Sequence, residues 1–169
     1  MREIDLNAVI TDVLSLLEHQ FRTHRIQLRK HMERPSVPVL GTEYKLQQVF
    51  LNLVLNARDA MESGGTLAIR SGVDHAGLVR VSVADSGAGI PPENLARIFD
   101  PFFTTKTAKR GTGLGLSVSY GIVKEHGGDI EVESELGAGA RFELSFPEFA
   151  AEPKLETVFR PAQRNESTV

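Results

Sequence analysis

Apolar residues recur near a 3.6-residue period from Asp5 to Phe21, at Leu6, Val9, Ile10, Val13, Leu14, Leu16 and Leu17, which predicts an amphipathic helix. Ile26, Leu28 and Lys30 then fall on one side of a two-residue alternation, a short strand that Pro35-Ser36 turns back. Val37 to Leu40 reads as a second short strand, placed at a sheet edge by Pro38, which has no N–H to give a ladder. A helix follows from Thr42, whose hydroxyl can cap its first turn, to about Met61, with Gly64-Gly65 stopping it. Thr66 to Val73 and Leu78 to Ala84 alternate as a hairpin, and Asp129 to Ser134 with Ala140 to Phe146 as another. Between the hairpins lie a short helix over Pro91 to Ile98, an aperiodic loop from Asp100 to Gly115, and a helix from Leu116 to His126 ended by Gly127-Gly128. Hairpins imply a mostly antiparallel sheet, and the helices must cover one of its faces. The expected architecture is a two-layer α/β sandwich.

Composition narrows the field of functions. The 169 residues suffice for one domain with a real core, and 41% hydrophobic with 24% charged residues is ordinary for a globular protein. A formal net charge of -3 lacks the basic excess of a nucleic-acid binder. Without cysteine there is no disulfide scaffold, Cys-ligated zinc or thiol nucleophile. No apolar run reaches membrane-span length and the first residues do not form a signal peptide, so the expected compartment is the cytoplasm, without direct membrane contact. From Pro147 the composition turns polar, which predicts a domain over 1–148 and a mobile tail over 149–169.

Four segments carry candidate chemistry. In Val49 to Ala57 the only polar side chains are Asn52 and Asn56, four apart on one helix face. Either both amides satisfy neighbouring backbone, or one supplies a hard neutral ligand for Mg²⁺, which takes few protein ligands and completes its shell with water and phosphate. Asp85-Ser86-Gly87-Ala88-Gly89-Ile90 ends a strand with a carboxylate that can accept from an exocyclic amine, beside glycines that let a flat ring approach backbone. An ordinary strand-ending turn has the same composition. Gly111-Thr112-Gly113-Leu114-Gly115-Leu116 opens a helix, a setting in which backbone N–H groups and the helix dipole favour phosphate; a flexible hinge would look similar. It has neither the P-loop pattern nor the dinucleotide fingerprint. Phe99, Phe102 and Phe103 are expected to anchor the base of a lid bearing Thr105, Lys106, Lys109 and Arg110.

In this order and spacing, Asn56, Asp85-x-Gly87-x-Gly89, the Phe-rich segment and Gly111-x-Gly113-x-Gly115 resemble the N, G1, F and G2 boxes of histidine kinase catalytic domains, over roughly Ile4 to Pro147. The resemblance implies the Bergerat fold, with ATP and Mg²⁺ as cofactors. It implies Mg²⁺ on Asn56, the adenine amine on Asp85, and a pocket shaped by Gly87, Gly89, Ile90 and Phe99. Phosphates would meet Thr105, Lys106, Gly111, Thr112, Gly113, Leu114, Gly115 and Leu116, with Lys106 neutralising charge. Related gyrase and MutL ATPases carry a water-activating glutamate where this chain has Asn52, so Asn52 favours donation to a protein acceptor over hydrolysis.

Two departures stand out. Many family members carry lysine where this chain has Asp59, so that phosphate contact is lost and Arg58 or the lid cations are candidate substitutes. Asn56-Ala57-Arg58-Asp59-Ala60-Met61 with Phe102-Phe103-Thr104-Thr105-Lys106 resembles nitrogen-regulation and oxygen-sensor kinases. None of the five histidines, His19, His24, His31, His75 and His126, has a phosphoacceptor context; His126, at a helix end, reads as structural. The expected partners are therefore a histidine-bearing dimerisation domain outside these residues and, indirectly, a response regulator. A serine kinase of the anti-sigma-factor type, a hydrolytic ATPase that switches dimerisation, and a binding module without turnover are the competing classes.

Overall fold

A computed structural model describes residues 1–104 and 114–150 of the chain. In order, the elements are β1 (Arg2–Asp5), α1 (Leu6–Leu16), α2 (Glu18–Thr23), β2 (Ile26–Met32), β3 (Pro38–Gly41), α3 (Glu43–Ala60), β4 (Gly65–Val73), β5 (Leu78–Asp85), α4 (Pro92–Leu95), α5 (Gly115–Glu125), β6 (Asp129–Glu135) and β7 (Gly139–Pro147). The main sheet has the order β2-β4-β5-β7-β6. All its pairings are antiparallel except β2 with β4, which the intervening α3 makes a parallel crossover.

Register turns the two-residue alternation into a core. Val79, Val81 and Val83 sit opposite Phe146, Leu144 and Phe142, and Ile130 opposite Leu144. All of these are buried, together with Leu67 and Ile69 of β4. The alternate positions, such as Arg70, Ser82, Glu143 and Glu131, line the opposite face. On the apolar face lie α1, α3 and α5, so the expected two-layer sandwich is what forms. Among the described residues no helix is long and apolar enough to cross a membrane.

The N-terminal region departs from the single helix expected over Asp5 to Phe21. Residues 2–5 form β1, paired with β3 in a separate two-stranded sheet. Asp5 ends the strand because its Oδ1 accepts from the N–H groups of Asn7 and Val37, both at 3.0 Å, capping α1 and clipping the approach to β3. The helix is then broken at Leu17. Leu14, Leu17 and Phe21 stay buried across the break, while Leu16, expected in the apolar stripe, is 73% exposed.

Thr42 occupies the N-cap of α3, but its hydroxyl makes no capping bond. Its backbone N–H instead donates to His126 Nε2 at 3.1 Å, and His126 Nδ1 donates to the Ile122 carbonyl at 2.7 Å. The buried imidazole thus joins the end of α5 to the start of α3. Gly41 permits this, since a Cβ there would lie 2.9 Å from His126 Cδ2. His126→Ala should lower stability by about 2 kcal/mol, because it leaves the Thr42 N–H without an acceptor. Urea unfolding measures this; an unchanged midpoint would remove His126 from the account of how α3 and α5 are joined.

Candidate functional site

Three positions four residues apart on α3, Asn52, Asn56 and Ala60, organise the site. At 1.5 Å rise per residue each step is about 6 Å along the helix. At the near end, Asn52 Nδ2 donates to the Gly115 carbonyl at 3.1 Å and to Ser119 Oγ at 3.2 Å. At the far end, the Ala60 carbonyl accepts from the Ala88 N–H at 3.1 Å. Asn56 lies between these ties, half-buried, and its side chain makes no hydrogen bond among the described residues. The two readings of the asparagine pair are therefore divided: Asn52 is satisfied by protein, and Asn56 is the amide left over.

Asp85 ends β5, paired across to Ala140. Its Oδ1 accepts from the Gly87 N–H at 2.8 Å. Burial pushes this carboxyl above the usual carboxylate range, and the N–H groups of Gly87 and Ala140 pull it part of the way back. Gly87 and Gly89 stand where expected, but for a different physical reason. A Cβ on Gly87 would collide with the Ala60 carbonyl, and one on Gly89, at φ 75°, with the Glu135 carbonyl. Protein backbone, rather than a ring, fills the space these glycines leave. They let the Asp85 loop sit directly on the end of α3 and on the β6–β7 turn, where the Gly137 N–H meets the Ala88 carbonyl at 2.7 Å. Ser134, which no sequence signal singles out, completes the wall: its Oγ accepts from the Ile90 N–H and donates to the Gly139 carbonyl, both at 2.8 Å.

At the first residue of α5 the situation reverses. A Cβ on Gly115 would come no nearer than 3.7 Å to Asn52, ordinary contact, so no neighbour among the described residues demands glycine there. Among the described residues no side chain caps the helix start, where first-turn N–H groups have no acceptor within the helix. Leu116 packs against the core and Leu114 is partly exposed. Thr105, Lys106, Gly111, Thr112 and Gly113, with Lys109 and Arg110 of the expected lid, lie outside the described residues, as does 151–169 of the expected tail.

The aromatic base of that loop is narrower than expected. Phe99 packs on Tyr120 and Phe142, with ring centroids 5.4 and 6.4 Å away, and Arg97 lies 4.7 Å over the Phe103 ring. Phe102 is no anchor. Its left-handed backbone, φ 66°, directs the ring outward and leaves it 74% exposed. Arg58 is engaged elsewhere: it donates to Asp59 Oδ1 at 2.9 and 3.1 Å and to Gln20 Oε1 of α2. Of the candidates to replace the family lysine, Arg58 is thus tied toward α2, with Asp59 as its ion-pair partner.

The arrangement can accept an amine at Asp85, offer a hard oxygen at Asn56, and present backbone N–H groups at Gly115. With the one-sided sheet, that defines an ATP-binding α/β sandwich. A family model for the histidine kinase-, DNA gyrase B-, and HSP90-like ATPases matches residues 41–150, and the chain belongs to this family. It is 42% identical over 144 residues to sporulation kinase A of Bacillus subtilis (strain 168), a match covering 85% of this chain and 23% of that protein. It is also similar to the nucleotide-free catalytic domain of histidine kinase ThkA, with TM-score 0.77 and 38% identity, covering 86% of this chain and 94% of that one. A further structure, ThkA in complex with the response regulator TrrA, aligns with TM-score 0.72 and 34% identity, covering 87% of this chain and 41% of that one. The chain spans less than a third of the length of the curated kinases it matches.

Desolvation of the half-buried Asp85 carboxyl affects stability without nucleotide. A carboxyl whose folded-state pKa is raised above its ordinary 3.8 disfavours the ionised form. Folding stability therefore falls as pH rises from that ordinary value through the raised one. Asp85→Asn should raise the thermal midpoint at pH 7 and abolish this component of the acid-side pH dependence. A lowered midpoint in the variant would mean that the ionised carboxylate supports the fold.

Proposed function

We propose that this chain is the ATP-binding catalytic domain, over residues 1–148, of a sensor histidine kinase. It transfers the γ-phosphoryl of Mg²⁺-ATP to a histidine on a separate dimerisation domain, from which a response regulator is served in the cytoplasm. The observation that carries this reading is the division of labour on α3. Asn52 is committed as a donor to Gly115 and Ser119, while Asn56 has no hydrogen-bond partner among the described residues.

The residues present suit the cofactors. Asn56 Oδ1 would hold Mg²⁺, and Asp85 would accept from the adenine amino group. The packing of Gly87 and Gly89 sets the position of that carboxylate. Ile90 and Phe99 would line the base. The first turn of α5 at Leu114, Gly115 and Leu116 would receive phosphate oxygens, together with Gly111, Thr112 and Gly113. Lys106 would neutralise charge on them, and Thr105 would add a hydroxyl. Mg²⁺ held there would neutralise phosphate charge during the transfer. An acceptor imidazole nitrogen attacks the γ-phosphorus, the bond to the β,γ-bridging oxygen breaks, and ADP leaves with that electron pair. Asn52 has no carboxylate with which to take a proton from water, so transfer to the acceptor outpaces hydrolysis. The names of the similar proteins, a sporulation kinase and a histidine kinase complexed with a response regulator, support this assignment over a serine kinase or a hydrolase.

Two experiments test it. Asn56→Ala should weaken ATP binding about tenfold more with Mg²⁺ than with EDTA, the equivalent of one charge-assisted contact. Equal losses would make Asn56 a structural amide. Incubation with γ-labelled ATP and a histidine-bearing helical hairpin from a related kinase should place acid-labile label on the hairpin and none on this chain. Rapid phosphate release without the hairpin would indicate a hydrolase, and acid-stable label on serine a kinase of the anti-sigma-factor type.

A further inference from the structure

Beside the outer Lys45–Glu125 ion pair, the polar contacts between α3 and α5 converge on one carbonyl. Gly115 O accepts from Asn52 Nδ2 at 3.1 Å and from Ser119 Oγ at 2.8 Å, and the two donors meet each other at 3.2 Å. Ser119 is wholly buried, with 0% of its surface exposed, in a helix whose other buried side chains, Ile122 and Val123, are apolar. A hydroxyl placed there needs partners, and both of those it has lie at the entrance to α5. Serine bonding back to the carbonyl four residues earlier is common, but it confers no helix stability. Here the bond is closed into a triangle by a side chain from another helix.

We propose that Ser119, acting with Asn52, is a positioning residue for the phosphates. The triangle pins the first turn of α5 at the level of Asn52, one helical turn from Asn56. The α5 N–H groups and the Asn56 amide are thereby held in fixed relation before nucleotide arrives. Neither Ser119 nor its hydroxyl need touch the ligand. The clamp also bears on the chemistry. It requires a donor at position 52, and an ionised carboxylate there would face the Gly115 carbonyl with no hydrogen to offer. A clamped α5 and a water-activating base at position 52 are therefore mutually exclusive in this chain. Pre-set donors accelerate phosphoryl transfer because little reorganisation remains to be done once the phosphates are in place.

This inference rests on the nucleotide-site reading above, and its test separates the two. Dissociation constants for adenosine, ADP and a non-hydrolysable ATP analogue with Mg²⁺ are measured on the parent chain, Ser119→Ala, Ser119→Thr and Asn52→Asp. If the parent binds no nucleotide, the site reading itself fails. If it binds, Ser119→Ala and Asn52→Asp should each weaken the triphosphate about tenfold while leaving adenosine within about twofold, since Asp85 is untouched. Ser119→Thr, which keeps the hydroxyl, should restore most of the loss. The double variant Asn52→Asp/Ser119→Ala should lose little more than either single one, because both break one unit. Equal weakening of adenosine and triphosphate would reduce Ser119 to a general packing role and overturn the proposal, as would parent-like triphosphate affinity in Ser119→Ala. Should Ser119→Ala not fold, Asn52→Asp alone carries the same adenosine-against-triphosphate comparison.

Discussion

The rotational setting of α3 governs the rest of this molecule. Val49, Phe50, Leu53, Val54 and Ala57 are no more than 3% exposed, and burial of side chains of this size contributes about 1.5–3 kcal/mol each for all but the alanine. A helix held by such a stripe cannot turn about its axis without exposing it. Asn52, Asn56 and Ala60 must then emerge together along one border. Gly115 and the Asp85 loop are fastened to that border at its two ends. The geometry of the polar site is thus inherited from apolar packing, which is why a site of few polar groups can be held in place.

The same site is locally poor in stabilising interactions. Burial disfavours the charge on Asp85, and among the described residues Asn56 has no partner and α5 no side-chain cap. Each feature is what a ligand of matching chemistry would satisfy, and each is a local concession that the core offsets. Gly87 and Gly89 show the opposite behaviour, because protein backbone occupies the space their missing side chains leave. Glycines in one motif can therefore serve assembly while a glycine in the next leaves access to a helix end.

Much of this was legible from periodicity. Both hairpins, α3 and α5 fall within a residue or two of where the apolar pattern puts them, since long buried faces have strong periods. Two features were not. The four residues of β1 carry too little pattern to distinguish a strand from a helix start, and the parallel β2–β4 pair depends on chain order in space rather than on alternation. At the site, the residue types marked the candidate positions, but the division between Asn52 and Asn56 could not be read, because both look alike until Gly115 and Ser119 arrive from 63 and 67 residues away. Phe102 misled for a related reason. Composition counts aromatics, and only the backbone angle decides which of them face inward.

The central claim is that α3 measures the nucleotide: adenine at the Ala60 end, phosphates at the Asn52 end, metal on the amide between. A crystal structure of the chain with Mg²⁺ and a non-hydrolysable ATP analogue tests this most directly. The account predicts the Asn56 side-chain oxygen at about 2.1 Å from the metal, the adenine amine on Asp85 and phosphate oxygens on the first-turn N–H groups of α5, with the Asn52–Ser119–Gly115 contacts unchanged. A metal held elsewhere, with Asn56 turned to a protein partner, or adenine lodged at the Gly115 end, would contradict it.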